Sequence, residues 1–328
     1  MANGTTNATH KCMVDITEQE VIFIIVVTLI MDLTALAILH KMPGKKQSVN
    51  HFLVKTLAWN DFVSTLMLFS MWLVSSIQCG PVGGYYGCML MGWMSTTSTI
   101  WSAWIVTIMT FCRYISVKYP ITYQQKFTIS KVAGILGFTW ALTLAQLSLP
   151  LFGAAAPYRY YDENKICSYE FAPGRFTDVH AVTVAMIGSV GLLTVVFVIY
   201  CNTVLIIKMQ QRKKIHARNV KDGITHANAN KEPNNTFARV TIVLAAGYTV
   251  CYGPFSVRLL IDTANKAKTV NSLWHTISLS LVLLNPLLNP IIYVIFNKNY
   301  RKYCRRCLVK PCRKSNTVIS AKENVSSR

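Results

Sequence analysis

Charged residues are few in this chain, and acidic residues are especially few. Only 14% of the 328 residues are charged, against about 25% in typical soluble proteins. Yet 33 Lys and Arg stand against 13 Asp and Glu, which leaves a net charge of +20. Disordered chains and soluble nucleic-acid binders carry many charged residues, so this scarcity disfavours both classes. No internal repeat is visible either, which weakens the case for a transporter built from inverted repeats.

Hydrophobic residues make up 52% of the chain and are concentrated in seven stretches. Crossing a bilayer as a helix takes about 20 mainly apolar residues, so we predict an all-α membrane protein with a seven-transmembrane helix bundle at 21–296. The predicted spans are Val21–His40, Phe52–Gln78, Tyr86–Val117, Val132–Phe152, Val179–Met209, Phe237–Ile261 and Leu273–Phe296. The polar segment 210–235 is predicted to be a mobile loop, and residues 308–328 a disordered cytoplasmic tail.

Residues 1–20 are polar and run directly into the first span, with no small-residue cleavage site after it. We therefore expect the first span to act as its own targeting signal. With the N-terminus outside, the outer segments hold six Lys or Arg and eight acids, whereas the inner segments hold 26 Lys or Arg and three acids. This distribution predicts a multi-pass protein of the plasma membrane with an extracellular N-terminus. Asn3 and Asn7 begin glycosylation sequons in that tail.

Four cysteines fall in the predicted outer segments, where disulfides form and persist. A bridge between Cys88 and Cys167 would tie the longest outer loop over the mouth of the bundle. Cys12 and Cys79 could form a second bridge, but sequence alone does not fix the connectivity.

Residues 297–307 follow the last span with aromatic residues and cysteines on one helical face and bases on the other. This pattern predicts a short amphipathic helix that lies on membrane lipid at the inner leaflet. Cys304 and Cys307 in this segment are palmitoylation candidates.

Polar side chains inside predicted spans are costly and usually functional. Asp61, Ser102, Asn285 and Asn289 could line a small hydrated pocket able to hold a sodium ion or a proton. The alternative is a hydrogen-bond network that joins the helices without an ion. Asp32 is a second acid in the first span, and it would share a cation or a proton with Asp61 if the two face each other.

Two arginines lie near opposite ends of their spans. Arg113 follows Cys88 by about 37 Å of helix, which places it at the cytosolic mouth. Arg258 lies in the outer half of the sixth span, where it could meet an anionic ligand or extend to the outer interface.

These residues resemble the motif set of rhodopsin-family (class A) G-protein-coupled receptors, one motif per expected span. In chain order the motifs are Leu57-Ala58-Trp59-Asn60-Asp61, Cys88 with Cys167, Phe111-Cys112-Arg113-Tyr114 with Pro120, Trp140, Cys251-Tyr252-Gly253-Pro254, and Asn289-Pro290-Ile291-Ile292-Tyr293. The resemblance implies a receptor for an extracellular ligand that activates a heterotrimeric G protein. The residues it assigns to G-protein coupling are Arg113, Tyr114, Tyr200 and Tyr293.

The chain departs from the family pattern at several positions. Cys112 stands where an acid usually precedes the arginine, which predicts a weaker restraint on the inactive state and some ligand-independent signalling. Tyr252 replaces the usual tryptophan of the sixth span, and Asp32 stands at the place of the usual asparagine of the first span.

The resemblance also bears on the ligand. Ser95 matches the aspartate that aminergic receptors use, and Leu283 matches the lysine that opsins use to bind retinal, so both ligand classes are disfavoured. The pattern is most similar to prostanoid receptors, through residues 56–66 and 284–290, although Ser280 stands where they have an arginine. An anionic lipid would then need another cation. The ligand-binding candidates are Arg258, Ser95, Lys165, Ser280 and Tyr252.

Alternatives from the same family are receptors for a peptide or another small molecule. A channel or transporter would need several charges along a pore, and only Asp32, Asp61 and Arg258 are candidates. An enzyme would need a catalytic pair at one depth; Asp32 with Asp61 is the only possible acid pair, and the receptor motifs outweigh it. We therefore expect no enzyme. The charge distribution accounts for the basic residues without nucleic acid, so we expect no nucleic-acid partner.

Overall fold

The computed structural model describes residues 16–41, 48–155, 157–161, 165–170, 178–221, 235–265, 272–296 and 301. Within these ranges the chain forms eight α-helices, one short 3₁₀ segment and two β-strands. In chain order they are α1 Ile16–Lys41, α2 Val49–Gln78, α3 Gly84–Lys118, α4 Pro120–Lys126, α5 Ile129–Leu147, the 3₁₀ segment Leu149–Phe152, β1 Tyr158–Tyr161, β2 Ile166–Tyr169, α6 Asp178–Lys221, α7 Asn235–Ala264 and α8 Ser272–Phe296.

The long helices form a seven-helix bundle, as the apolar stretches predict. By length and composition, α1, α2, α3, α6, α7 and the segment Ile129–Phe152 can each cross a membrane, and α8 contributes a shorter apolar stretch, Ile277–Tyr293. Helix α1 contacts α2, α2 contacts α3, and α3 contacts both α5 and α6; α6 contacts α7, α7 contacts α8, and α8 closes the ring against α1. Helix α3 also contacts α2, α5, α6 and α7, so it is the central helix around which the site is built.

The predicted spans agree with the described helices to within five residues at their ends, with one exception. Helix α6 continues for twelve residues beyond the predicted end at Met209, so the first part of segment 210–235 is helical and the prediction of a mobile loop is wrong there. Residues 210–221 are rich in Gln, Arg and Lys and contain no Gly or Pro. Such residues have good helix propensity, and a helix that projects beyond the bundle needs no apolar face.

A β-hairpin covers one end of the bundle, in a region predicted only as a loop. Strands β1 and β2 are antiparallel, with Tyr160 opposite Cys167. The disulfide between Cys88 and Cys167 fastens β2 to the first turns of α3, which confirms that pairing. We call this end of the bundle the hairpin end, and the opposite end, where α3 finishes, the Arg113 end. Cys79 is disulfide-bonded as well, but its expected partner Cys12 lies outside the described residues.

Tyr158 anchors the hairpin to the bundle. Its side chain is buried, and its Oη donates a hydrogen bond to the carbonyl oxygen of Leu147 at 2.9 Å. Burial raises the pKa of this phenol well above its usual range, so the hydroxyl stays a neutral donor. The ring lies against Gly92 of α3, where a Cβ atom would come within 2.9 Å of Tyr158 Cδ1. The hairpin approaches α3 this closely because Gly92 has no side chain.

Glycines also set the contact between α6 and α7. A Cβ on Gly188 would come within 3.0 Å of Leu259 Cβ, and a Cβ on Gly191 would collide with Ser256 Oγ. Small residues let membrane helices pack closely. The α6–α7 contact therefore depends on these two glycines.

Candidate functional site

A cavity of about 90 Å³ lies between α3, α6, α7 and α8, beneath strand β2. Residues of α2 and α5 complete its wall. Trp104, Tyr248, Tyr252 and Phe255 give it an aromatic lining, and half of the other lining residues are aliphatic. The described residues that line it include no Asp, Glu, Lys, Arg or His. The cavity is therefore a concave, mostly apolar site with a few polar groups, the usual form of a small-molecule site.

Two of the predicted ligand-binding residues face this cavity. Ser95 on α3 and Tyr252 on α7 both line it, and Tyr252 Oη donates a 2.7 Å hydrogen bond to the carbonyl oxygen of Thr99. Leu283, at the place of the opsin lysine, lines the cavity too. The other three candidates are not among the lining residues. Ser280 is exposed on α8, and Lys165 is buried next to β2.

Arg258 is engaged within its own helix. Its Nη1 lies 3.3 Å from Asp262 Oδ2, one helical turn further along α7, and its side chain is only 1% exposed. The guanidinium also lies 5.5 Å from the centroid of the Phe255 ring. The side chain neither extends to the interface nor enters the cavity. The spacing of Arg258 and Asp262 in the sequence already predicts this pair, because residues four apart on a helix are neighbours.

A second polar cluster lies next to the cavity, at Asp61 of α2. Its Oδ2 accepts a 2.7 Å hydrogen bond from Asn289 Nδ2, and its Oδ1 accepts a 3.2 Å hydrogen bond from Ser102 Oγ. Helices α2, α3 and α8 thus meet at one buried carboxyl group, as predicted from the sequence. Asn285 is also buried, on the turn of α8 before Asn289, but its Nδ2 has no hydrogen-bond partner among the described residues.

A small space of about 10 Å³ adjoins Asp61. That is about the volume that one water molecule needs. Five residues line both this space and the large cavity and so lie between the two: Leu68, Thr99, Tyr252, Val282 and Leu283.

Asp32 is buried one layer away from Asp61. Its Oδ2 accepts a 3.3 Å hydrogen bond from Thr65 Oγ1, and Thr65 follows Asp61 by one helical turn. Its Oδ1 has no hydrogen-bond partner in the described part of the chain. The two acids therefore have different partners: Asp32 binds Thr65 of α2, whereas Asp61 binds Ser102 of α3 and Asn289 of α8.

Tyrosines surround the end of α3 at the Arg113 end. The rings of Tyr114 and Tyr200 lie 6.3 Å apart, which joins α3 to α6, and Tyr293 is buried in α8. Arg212, in the added turns of α6, donates a 2.9 Å hydrogen bond to the carbonyl oxygen of Val117.

Sequence reasoning missed Tyr123 of α4 at this end. Burial raises the pKa of Tyr123 to about 12, and the nearby Arg113 guanidinium opposes that rise. The phenol thus lies close to both Cys112 and Arg113, where the usual acid is missing.

Residues 32–293 match the family model described as "7 transmembrane receptor (rhodopsin family)". The chain belongs to this family. It is a multi-pass membrane receptor and not an enzyme. The match covers every helix of the bundle, and its two ends coincide with Asp32 of α1 and Tyr293 of α8.

Two groups of relatives match most of the receptor. It is 23% identical to melatonin receptor type 1C of Gallus gallus over 299 residues, which cover 87% of this chain and 81% of the relative. It is 25% identical to the green-sensitive opsin of Gallus gallus over 324 residues, which cover 94% and 85% of the two chains. The finer resemblance to prostanoid receptors gains no support from these relatives.

The fold matches that of a protein of known structure. The crystal structure of squid rhodopsin matches 89% of this chain and 85% of its own, with a TM-score of 0.74 and 15% identity. At such low identity the match supports only the shared fold, the seven-helix bundle.

Several predicted positions lie outside the described residues. They are the sequon residues Asn3 and Asn7 and the palmitoylation candidates Cys304 and Cys307. The predicted amphipathic helix at 297–307 is outside them too, apart from Arg301.

Seven polar residues that line the receptor's cavity were not found from the sequence. They are Thr96, Thr99, Gln146, Ser168, Thr194, Tyr248 and Ser256. Three of them stand one helical turn from a predicted site residue: Thr99 from Ser95, and Tyr248 and Ser256 from Tyr252. Helical spacing would have pointed to those three, whereas Gln146 and Thr194 belong to helices on which the sequence gave no ligand-binding candidate.

Proposed function

We propose that this receptor binds an extracellular small molecule in the cavity at the hairpin end and activates a heterotrimeric G protein at the Arg113 end. The observation that carries the proposal is the course of α3. Ser95 lines the cavity, and Arg113 lies about 27 Å further along the same helix. One helix thus connects the cavity with the residue that the family resemblance assigns to G-protein coupling.

The orientation in the membrane follows from charge. The Arg113 end holds the basic turns of α6, whereas most acids outside the spans lie in segments next to the hairpin end. We propose that the hairpin end and the N-terminus are extracellular and that the protein resides in the plasma membrane. The Arg113 end would then meet both the G protein and anionic membrane lipid.

The Asp61 cluster fits a sodium ion. Hard cations prefer oxygen ligands, and the small space is lined by the Asp61 carboxylate and by the hydroxyl-bearing Ser64, Thr99 and Ser102. A single negative charge matches a monovalent cation. A proton on Asp61, or a hydrogen-bond network without an ion, would satisfy the same contacts, and the salt dependence of stability distinguishes them.

Three ligand classes come from the sequence and from the relatives' names. An anionic lipid mediator, such as a prostanoid, would require Arg258 to exchange Asp262 for the ligand's carboxylate. Retinal needs an amine for its Schiff base, and Leu283 at that position of the wall supplies none. Melatonin, after which one group of relatives is named, needs neither change and is the better first probe.

Nucleotide exchange on purified Gα subunits tests the proposed function. The receptor, reconstituted in lipid discs, should accelerate GTPγS binding to at least one Gα class without added ligand, because Cys112 leaves Arg113 without the usual neighbouring acid. Arg113→Ala should abolish this acceleration. Lys131→Ala, which removes an exposed base at the start of α5, is the matched control and should retain it.

Two outcomes would overturn the proposal. One is a failure to accelerate exchange on every Gα class with and without ligands. The other is an ion flux through the reconstituted protein in place of exchange, which would favour a channel.

A further inference from the structure

The walls of the cavity combine hydrogen-bonding groups with an absence of charge. Among the described lining residues there is no acid, base or histidine. Of the two basic ligand-binding candidates, Arg258 is ion-paired with Asp262, and Lys165 is buried beside β2 without lining the cavity. The nearest acid, Asp61, already accepts hydrogen bonds from Ser102 and Asn289. A charged ligand would thus lose its water without gaining an opposite charge, which is strongly unfavourable.

Six of the eight hydroxyl groups that line the cavity have already used their hydrogens. Each hydroxyl has one hydrogen to donate and two lone pairs that accept. The hydroxyls that donate to a backbone carbonyl oxygen, at 2.7 to 3.2 Å, belong to Ser95, Thr99, Thr194, Tyr252 and Ser256. Tyr248 Oη lies 2.7 Å from Thr194 Oγ1, and since Thr194 gives its hydrogen to Gly191, Tyr248 is the donor of that pair. These oxygens can therefore offer a ligand only acceptors.

Gln146 supplies a hydrogen-bond donor to the cavity. This α5 side chain lines the cavity, and its Nε2 is buried with no hydrogen-bond partner among the described residues. A buried donor without an acceptor is unfavourable, and a ligand carbonyl at this wall would satisfy it.

We infer that the cavity takes an uncharged aromatic ligand that carries both an N–H or O–H donor and a carbonyl acceptor, with the carbonyl held by Gln146. The aromatic part is matched by Trp104, Tyr248, Tyr252 and Phe255, and the donor by the hydroxyl oxygens of α3 and α7. An aromatic amide has this chemistry, whereas a carboxylate or a free amine does not. The inference rests on the proposed function, since it names the ligand class of that same cavity.

A matched series of compounds tests the ligand class. N-acetyltryptamine, tryptamine and indole-3-propionate share one ring and one two-carbon linker but end in a neutral amide, a cation and an anion. Binding to the full-length receptor in lipid discs is measured by scintillation proximity with the radiolabelled amide and by competition with the other two. We expect the amide to bind at least tenfold more tightly than either charged member.

Variants of one glutamine test the role of the Nε2 group. Gln146→Leu should weaken binding of the amide about tenfold, because it removes one hydrogen bond to the ligand and leaves the ring contacts. Gln125→Leu is the matched control, since Gln125 is exposed on α4 at the Arg113 end, and its binding should be unchanged. Gln146→Asn, which shortens the side chain but keeps the amide, replaces the leucine variant if that variant fails to fold.

Three results would overturn the inference. They are tighter binding of the acid or the amine, an unchanged affinity of the amide in Gln146→Leu, and no binding of any member up to millimolar concentration. Ligand-independent GTPγS exchange, measured on the same discs, reports on the proposed function separately. A receptor that accelerates exchange but prefers indole-3-propionate would contradict the ligand class alone.

Discussion

Replacing Gly92 by alanine should loosen the attachment of the hairpin to the bundle. The added Cβ would lie 2.9 Å from Tyr158 Cδ1 and 3.3 Å from the backbone carbonyl carbon of Cys167. Neither neighbour can easily move away. Tyr158 is buried, its hydroxyl is hydrogen-bonded to Leu147, and its ring packs 5.6 Å from that of Tyr169. Cys167 is held by its disulfide to Cys88.

The size of the effect follows from two opposing contributions. Overpacking a well-filled site costs about 1–3 kcal/mol, whereas Gly to Ala in a helix interior contributes about 0.5–1 kcal/mol of stability. Gly137 in α5 provides the matched control, because a Cβ there meets no atom within 4 Å. Gly137→Ala should therefore be stabilising. The two variants carry the same chemical change and should differ by about 1–3 kcal/mol.

Thermal unfolding of the purified receptor in detergent measures this difference. At about 2–4 °C per kcal/mol for a chain of this order of size, Gly92→Ala should melt several degrees below Gly137→Ala. Equal melting temperatures would refute the reasoning. A Tyr158→Ala background should remove most of the difference, because the 2.9 Å contact is with the Tyr158 ring; a difference that persists there would place the strain at Cys167 instead.

Three further predictions concern the interior of the bundle. Asn289→Ala should lower the melting temperature more than Ser102→Ala, because the Asn289 hydrogen bond to Asp61 is shorter, 2.7 Å against 3.2 Å. If sodium binds at Asp61, replacing sodium by choline in the buffer should destabilise the wild type and leave the Asp61→Asn variant unaffected. Asp32→Asn should change the free energy of unfolding by less than about 1 kcal/mol, because a neutral amide keeps the one hydrogen bond of this buried side chain, and a large loss of stability in urea or heat would contradict it. Cys112→Asp should lower ligand-independent GTPγS exchange, and an unchanged rate would argue against the missing acid as its cause.

The sequence predicted those parts of the receptor that depend on composition along the chain. The length of apolar stretches predicts the seven spans, and polar residues at matching depth predict the cluster of Asp61, Ser102 and Asn289. Both are consequences of the membrane, which admits long apolar helices and gathers the few polar side chains within them. The disulfide between Cys88 and Cys167 was one open possibility that the family resemblance singled out.

The rest depends on three-dimensional contacts that no linear pattern contains. Arg258 looked like a counter-ion for an anionic ligand, but its rotamer directs it to Asp262. Gln146 and Thr194 gained a role only when α5 and α6 were packed against α3. The extension of α6 was missed because we took the end of the apolar run for the end of the helix, although helix propensity continues through residues 210–221.

The extension of α6 makes that helix a lever. Thirty residues, or about 45 Å of helix, separate Gly191 from Lys221. Gly191 lies both on the cavity wall and in the close contact with Ser256, so it is a natural pivot. If the helix behaves as a rigid rod, a tilt of only about 5° at this point would displace its far end by about 4 Å. A ligand that tilts α6 slightly at Gly191 would therefore displace the basic end of the helix by several times the shift at the cavity. That displacement changes the surface that this end presents.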